Sequence, residues 1–259
     1  MIMLNGSPVN TTIFPDNTSQ VWKLPEWILN ETNFAHVTWD YSHEGEFMQL
    51  AQLKALLDTK GFKTCLKIMY LPYGRQDKNI TNNTTFALTV FAHLLNELRF
   101  DEIKIFDPHS SVATKLIYNS EAIYPVDMIL NLISKLGSDL LCFPDKGALE
   151  KYAPMFKVPY VYGEKDRDQL TGFIKKYDLV GDVKGKSVLV VDDICDGGMT
   201  FKLLADALMG SGAKEVSLFV SHGIFSKGLK TLRQNKINRI FTKDGEASEV
   251  QNQIAYRRI

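Results

Sequence analysis

Long apolar runs are missing from this chain, and so is any excess of charge. No stretch is apolar for long enough to cross a bilayer, so the sequence offers no transmembrane helix. Lysine plus arginine and aspartate plus glutamate balance at 30 each, which removes the general field that would draw nucleic acid or a membrane surface. Any anion site has to be local. Cysteine is scarce: three scattered residues exclude a disulfide framework and point to free thiols in a reducing compartment. Cys65 and Cys142 lie inside apolar runs, and nothing beside Cys195 marks it as a nucleophile. The N-terminus MIMLNGSPVN lacks the basic start and apolar centre of a signal peptide, so a cytoplasmic location is expected. The Asn-X-Ser/Thr triplets at Asn10, Asn17, Asn30 and Asn83 are then expected to stay unmodified.

What is present suits an α/β protein. With 45% hydrophobic residues over 259 positions, the chain can build one large core or two modest ones. Residues 1 to 36 read as short strands and turns, including Ile13-Phe14 and Val21-Trp22. Beyond them strands and helices alternate: strand Val37 to Tyr41, helix Glu44 to Asp58, strand Thr64 to Leu71, helix Thr84 to Leu98 and strand Ile103 to Phe106. The second half repeats the scheme, with helix Met128 to Leu136, strand Asp139 to Phe143, helix Ala148 to Met155 and strand Val158 to Tyr162. A hairpin through Phe173 and Val180, strands Val216 to Val220 and Arg239 to Phe241, and a helix from Ser226 complete it, while the tail from Gly245 shows no core pattern. Such alternation predicts mostly parallel sheets flanked by helices, with ligands at the carboxyl ends of strands. The expected domains are residues 1–125 and 126–259.

One stretch, SVLVVDDICDGGMT from Ser187 to Thr200, carries the densest chemistry. An apolar run enters Asp192 and Asp193, Asp196 and the pair Gly197-Gly198 follow, and a helical stripe opens at Phe201. Backbone N–H groups at a helix N-terminus favour an anion, and glycine lets a phosphate approach the main chain. Adjacent carboxylates can accept hydrogen bonds from vicinal sugar hydroxyls or hold Mg²⁺. A sugar phosphate satisfies both halves of the loop.

Other candidates also follow strands. Arg75, Gln76, Asp77 and Lys78 offer a fork for phosphate oxygens and an amide for a base or ribose, or else form a solvated turn. Asp107 and His109 suit a metal bound by water and phosphate, or an ordinary surface loop. Asp145 is equally placed to cap a helix. Lys165 and Arg167 fall in a polar loop, either a plain surface flap or one that delivers late cationic contacts.

The Ser187 to Thr200 stretch resembles the ribose-phosphate loop of the type I phosphoribosyltransferase fold. Over residues 10 to 245 the chain resembles the ribose-phosphate pyrophosphokinases, also called phosphoribosyl diphosphate (PRPP) synthetases. LPYGRQDK looks like that family's Pro-Tyr-Ala-Arg-Gln-Asp-Lys segment, and Asp107-X-His109, Phe143-Pro144-Asp145, Lys165-X-Arg167 and Ser221-His222-Gly223 occur in the family's order. Arg-Gln-Asp-Lys separates this family from phosphoribosyltransferases that consume PRPP. The resemblance implies two tandem phosphoribosyltransferase-like domains, an ATP side and a ribose-phosphate side, working as a homo-oligomer, dimer or hexamer.

It also implies roles. Arg75, Gln76, Asp77 and His109 would bind ATP, and His109 and Asp145 would position Mg²⁺. Lys165, Arg167, Asp192 and Asp193 would be catalytic, while Asp192, Asp193, Asp196, Gly197, Gly198, Met199 and Thr200 would hold the ribose phosphate. Transfer of the β,γ-diphosphoryl group of ATP to the anomeric hydroxyl of a ribose 5-phosphate unit would give PRPP and AMP. The chain departs from the family at several places, among them Asn79-Ile80 in place of the more charged continuation of Arg-Gln-Asp-Lys. Gly197 and Met199 stand where the loop usually has Thr and Gly, and Phe14-Pro15-Asp16-Asn17-Thr18 lacks the Gly and Glu of the family's Phe-X-Asp-Gly-Glu. Met199 in a loop that wraps a terminal phosphate raises a second expectation, an acceptor whose C5 phosphate is esterified, such as ADP-ribose for NAD synthesis. A third is a non-catalytic regulatory homologue, against which the retained cations, His109 and Asp145 argue.

Overall fold

A computed structural model describes residues 1–26, 28, 33–167, 174–234 and 236–248, the side chains of 165–167 and 174–177 excepted. The chain divides into two compact units between Tyr124 and Pro125.

In the N-terminal unit the sheet begins with β1 (Ile2–Leu4) and β2 (Ser7–Pro8), and a separate hairpin is formed by β3 (Thr12–Ile13) and β4 (Ser19–Gln20). Then follow β5 (Phe34–Trp39), α1 (Gly45–Thr59), β6 (Lys63–Ile68), α2 (Ala87–Glu97), β7 (Glu102–Phe106), α3 (Val112–Leu116) and β8 (Ser120–Ile123). Strand order is β2-β1-β5-β6-β7-β8, with β5 through β8 parallel and β1 antiparallel to both neighbours. Leu50, Leu53 and Leu57 of α1 lie on one stripe and bury against Val37, Leu66 and Ile68, which is why that helix was visible in the sequence. The expected strand at Val21-Trp22 is instead β4, two residues earlier. Ile2–Leu4 is a member of the main sheet, because its buried Ile2 and Leu4 pair with Trp39 and Val37.

The C-terminal unit contains α4 (Val126–Leu136), β9 (Leu140–Phe143), α5 (Lys146–Tyr152), a 3-10 turn (Ala153–Met155), β10 (Tyr160–Arg167) and β11 (Ile174–Val180). It continues with β12 (Ser187–Cys195), α6 (Met199–Gly210), β13 (Glu215–Gly223), α7 (Leu229–Gln234), β14 (Arg239–Thr242) and β15 (Gly245–Glu246). The order is β11-β10-β9-β12-β13-β14-β15, with the inner five parallel and an antiparallel strand at each edge. Strand alternation splits this core cleanly. Val188 and Val190 pack with Leu204, Leu208 and Leu229 on one face, while Leu189 and Val191 pack with Ile129, Ala148 and Tyr152 on the other.

Two expectations are corrected here. Residues 165 to 167 do not form a loop: their backbone continues β10 and pairs with β11, Lys165 opposite Tyr177 and Arg167 opposite Ile174. Antiparallel backbone pairing sustains a strand whose side chains are too polar to announce one. The tail is not wholly outside the fold either, since β15 pairs with β14 and Ala247 is buried.

Candidate active site

In the C-terminal unit β12 carries the acid pair past the point where the apolar run ends. The ladder to β13 is regular through the pair, with Asp192 opposite Val220 and Ile194 opposite His222. The carboxylates therefore belong to the strand and not to the loop after it, and their side chains stay close enough to interact. Asp193 is buried on the α5 face, where Lys151 Nζ lies 3.6 Å from its Oδ2. Asp192 is half-buried and accepts the backbone N–H of Asp193 at 2.9 Å. Burial first, then the charges of Asp193 and Asp145, push the Asp192 carboxyl well above the usual carboxylate range.

The loop after β12 is fixed from below. Cys195 O accepts from the N–H groups of Ile224 (2.9 Å) and Phe225 (3.1 Å), and Ser226 Oγ donates to Asp196 Oδ1 at 2.5 Å. Gly198 caps α6 at φ +76°, and a Cβ there would come within 2.8 Å of Leu232 Cδ2, so this position requires glycine. Gly197 does not: a Cβ would meet Lys227 Cε at 3.6 Å, Lys227 Cδ at 3.7 Å and Ser226 Oγ at 3.9 Å, all ordinary contacts. Met199 opens α6 and is 56% exposed, beside the partly buried Thr200. The first-turn N–H groups of α6 have no acceptor within the helix and suit an anion.

Asp145 caps α5, its Oδ1 accepting from Ala148 N at 2.9 Å. Lys165 and Arg167 lie on β10, but their side chains are outside the described residues. The Cys195 thiol is pushed up to about 12, by burial first and then by Asp192 and Asp196, which rules out a thiolate nucleophile near neutral pH. All three cysteines are free and buried.

The N-terminal unit gathers its candidates at the carboxyl ends of β6 and β7, which are parallel neighbours. After β6 the chain turns at Tyr73, whose backbone adopts φ +60° and whose hydroxyl donates to Glu44. Gln76 O accepts from Leu88 N at 3.2 Å, which ties the segment to the first turn of α2. Arg75, Gln76 and Lys78 are exposed, and Asp77 Oδ2 accepts from Ser110 Oγ at 2.6 Å. That bond joins the segment after β6 to the segment after β7. There Asp107 is buried at φ +45° with its N–H on Ile123 O (2.8 Å), and His109 is exposed. Sequence reading singled out neither Ser110 nor Lys151. The serine directly follows a motif residue, while a lysine on a short helix looks like any solvated one.

Comparison with known proteins follows this geometry. Residues 145–253 match the phosphoribosyl transferase domain model, a range that begins at Asp145 and contains the whole acid loop. A ribose-phosphate pyrophosphokinase of Pyrococcus abyssi is 31% identical over 262 residues, spanning 96% of this chain and 88% of the relative. The chain belongs to the ribose-phosphate pyrophosphokinase family. A family relative from Saccharolobus solfataricus is 28% identical over 86% of this chain and 78% of its own length. The fold agrees with the crystal structure of phosphoribosylpyrophosphate synthetase from Mycobacterium smegmatis, at a TM-score of 0.68 and 20% identity over 86% of this chain and 80% of that one. The expected α/β class, with mostly parallel sheets and flanking helices, is therefore correct, and the enzyme class, ATP-dependent diphosphotransferase, is that of the named relatives. No helix among the described residues is long and apolar enough to cross a membrane.

One departure from the family's pattern falls in the Phe14 to Thr18 turn. Asn17 sits at φ +63°, in the left-handed region that asparagine tolerates, and Asp16 Oδ1 accepts from Thr18 N (3.0 Å) and Thr18 Oγ1 (2.7 Å). The turn of the Phe14 to Thr18 segment closes without the family's glycine.

Proposed function

We propose that this protein transfers the β,γ-diphosphoryl group of ATP to the anomeric hydroxyl of a ribose 5-phosphate unit, giving PRPP and AMP. The observation that carries the reading is the Asp77–Ser110 bond, because it links the Arg75-Gln76-Asp77-Lys78 segment to the segment after β7 that holds Asp107 and His109, at the carboxyl end of one sheet. A guanidinium fork and an imidazole on neighbouring loops can together contact a polyphosphate, and these two loops carry them. The names of the relatives support the same chemistry.

In this reading the N-terminal unit is the ATP side and the C-terminal unit the acceptor side. Arg75, Gln76, Asp77 and His109 hold the triphosphate and base. Asp192 and Asp193 accept the ribose hydroxyls, and Asp196 to Thr200 take the C5 phosphate on the first turn of α6. The anomeric oxygen attacks the β-phosphorus, its proton is lost, the bond between the α,β-bridging oxygen and the β-phosphorus breaks, and AMP leaves. Lys165 and Arg167 neutralise the charge that builds on the transferring group.

Among the described residues no three His, Cys, Asp or Glu side chains gather as a metal cage. Mg²⁺ needs no such cage, since it keeps several waters and takes one or two carboxylates plus substrate phosphates. Burial raises the Asp192 carboxyl first, and the repulsion from Asp193 and Asp145 that adds to it would be offset by a cation nearby. His109 and Asp145 are the residues we assign to Mg²⁺, which when bound would offset phosphate charge. A homo-oligomer, as the resemblance implies, completes the reading.

A second acceptor is favoured by one observation. Met199 is 56% exposed at the mouth of the phosphate loop, which leaves the C5 side open to a larger ester such as ADP-ribose. The test is AMP formation from ATP and Mg²⁺ with ribose 5-phosphate and ADP-ribose offered separately, with phosphorus NMR of the product. AMP with ribose 5-phosphate supports the main reading, and AMP only with ADP-ribose supports the second. Absence of AMP with both overturns them and leaves the regulatory homologue.

A further inference from the structure

The acid pair is served by one short helix. α5 begins at Asp145, whose charge acts on Asp192, and near its end Lys151 reaches Asp193. The surroundings are apolar: Phe143, Ala148, Tyr152 and Val191 belong to the same buried cluster. Only 13% of the Lys151 side chain and 8% of the Asp193 side chain are exposed, and Nζ lies 4.8 Å from the Tyr152 ring centroid. An ion pair in such a place is a poor source of stability, since its desolvation offsets its attraction. Its more specific consequence is to fix where a carboxylate sits.

We propose that Lys151 is a positioning residue for the acceptor site, holding the Asp193 carboxylate in the orientation that receives the ribose hydroxyls. The inference rests on the assignment of Asp193 to the acceptor. Without the ammonium, Asp193 can turn from the orientation in which its oxygens face the hydroxyl donors, and it receives them less well. Lys151 itself touches no reacting atom. Its effect is therefore specific to acceptor binding and needs only a cation of similar reach.

The test uses the full-length chain as Lys151→Met, Lys151→Arg, Asp193→Asn and the double variant Lys151→Met/Asp193→Asn. KM is measured for ATP and for whichever of ribose 5-phosphate or ADP-ribose the wild type turns over. Lys151→Met, which keeps the apolar stem, is expected to raise the acceptor KM on the order of ten-fold while the ATP KM stays within about two-fold. Lys151→Arg is expected to restore most of the affinity. The double variant is expected to bind the acceptor no worse than Asp193→Asn alone, because the two residues act as one unit. An unchanged acceptor KM in Lys151→Met, a parallel rise in both KM values, or failure of arginine to rescue overturns the proposal. Should Lys151→Met not fold, the double variant decides: equality with Asp193→Asn supports the pairing, and a further ten-fold rise overturns it. An Asp193→Asn variant with wild-type acceptor KM brings down the acceptor assignment and this proposal together. A damaged Asp193→Asn beside an intact Lys151→Met brings down this proposal alone.

Discussion

The two units hold their candidate groups by different means. In the C-terminal unit Asp192 and Asp193 are part of β12, half-buried and buried, with α5 braced against Asp193 and the β13–α7 segment against Asp196 in the loop that follows. In the N-terminal unit Arg75, Gln76 and His109 are exposed after β6 and β7, and the described brace between those segments is the Asp77–Ser110 bond. A strand-built site is set by the core and changes only with it. A loop-built site depends on a few hydrogen bonds and tolerates change more readily, and the departures from the family fall outside the strands in both units: the Phe14 to Thr18 turn of a hairpin apart from the main sheet, and Gly197 and Met199 after β12.

The largest expected effect tests whether catalysis depends on either set alone. Lys165→Ala and Arg167→Ala, on the β10–β11 hairpin, are each expected to lower kcat on the order of 10²–10³-fold with smaller changes in both KM values. Single-turnover kinetics would show it, and a pure KM effect would assign these cations to binding.

Next comes the strand-built acid. Asp192→Asn is expected to raise the acceptor KM on the order of ten-fold or more. It should also stabilise the unliganded protein. Burial, then Asp193 and Asp145, make the folded chain hold the Asp192 proton more tightly than the unfolded chain does. The ionised carboxyl is therefore a penalty above its raised pKa, and the penalty fades as pH falls toward the ordinary carboxylate range. A Tm gain of roughly 2–4 °C at neutral pH, shrinking in acid, is expected by calorimetry. A loss of Tm at neutral pH would mean that the acid is not strained.

Gly198→Ala probes the floor of the same loop. With φ at +76° and Leu232 Cδ2 at 2.8 Å from the added carbon, it is expected to destabilise the chain by about 2 kcal/mol in urea titration. Gly197→Ala, with ordinary clearance, should stay within about 0.5 kcal/mol of wild type. Equal losses at the two glycines would contradict the packing described.

The smallest effect belongs to the loop-built side. Ser110→Ala removes one hydrogen bond and is expected to raise the ATP KM about three- to ten-fold, leaving the acceptor KM alone. A change in acceptor KM of the same size would erase the distinction between the two sides.

Much of this was legible in the sequence because burial writes a pattern. Val188 to Val191 entering two acids, then Gly197-Gly198 and the Phe201, Leu204, Leu208 stripe, announced strand, loop and helix correctly. The misses share a cause. α3 and β8 are too short to show a period, and the polar end of β10 is held by backbone pairing to β11. The pairs Ser226–Asp196 and Lys151–Asp193 join residues 30 and 42 positions apart, respectively, which no local pattern records. The extent of β12 was misread for a related reason, since its polar end is sustained by the ladder to β13 and not by its own apolar side chains.

The central claim is that two phosphorus atoms move together onto a pentose. ATP labelled at the γ-phosphorus, incubated with the protein, Mg²⁺ and an accepted pentose phosphate, tests it directly. The label is expected to appear in the pentose product in equal amount to AMP, with none in free phosphate. Labelled inorganic phosphate formed alongside ADP, with no labelled sugar, would contradict it.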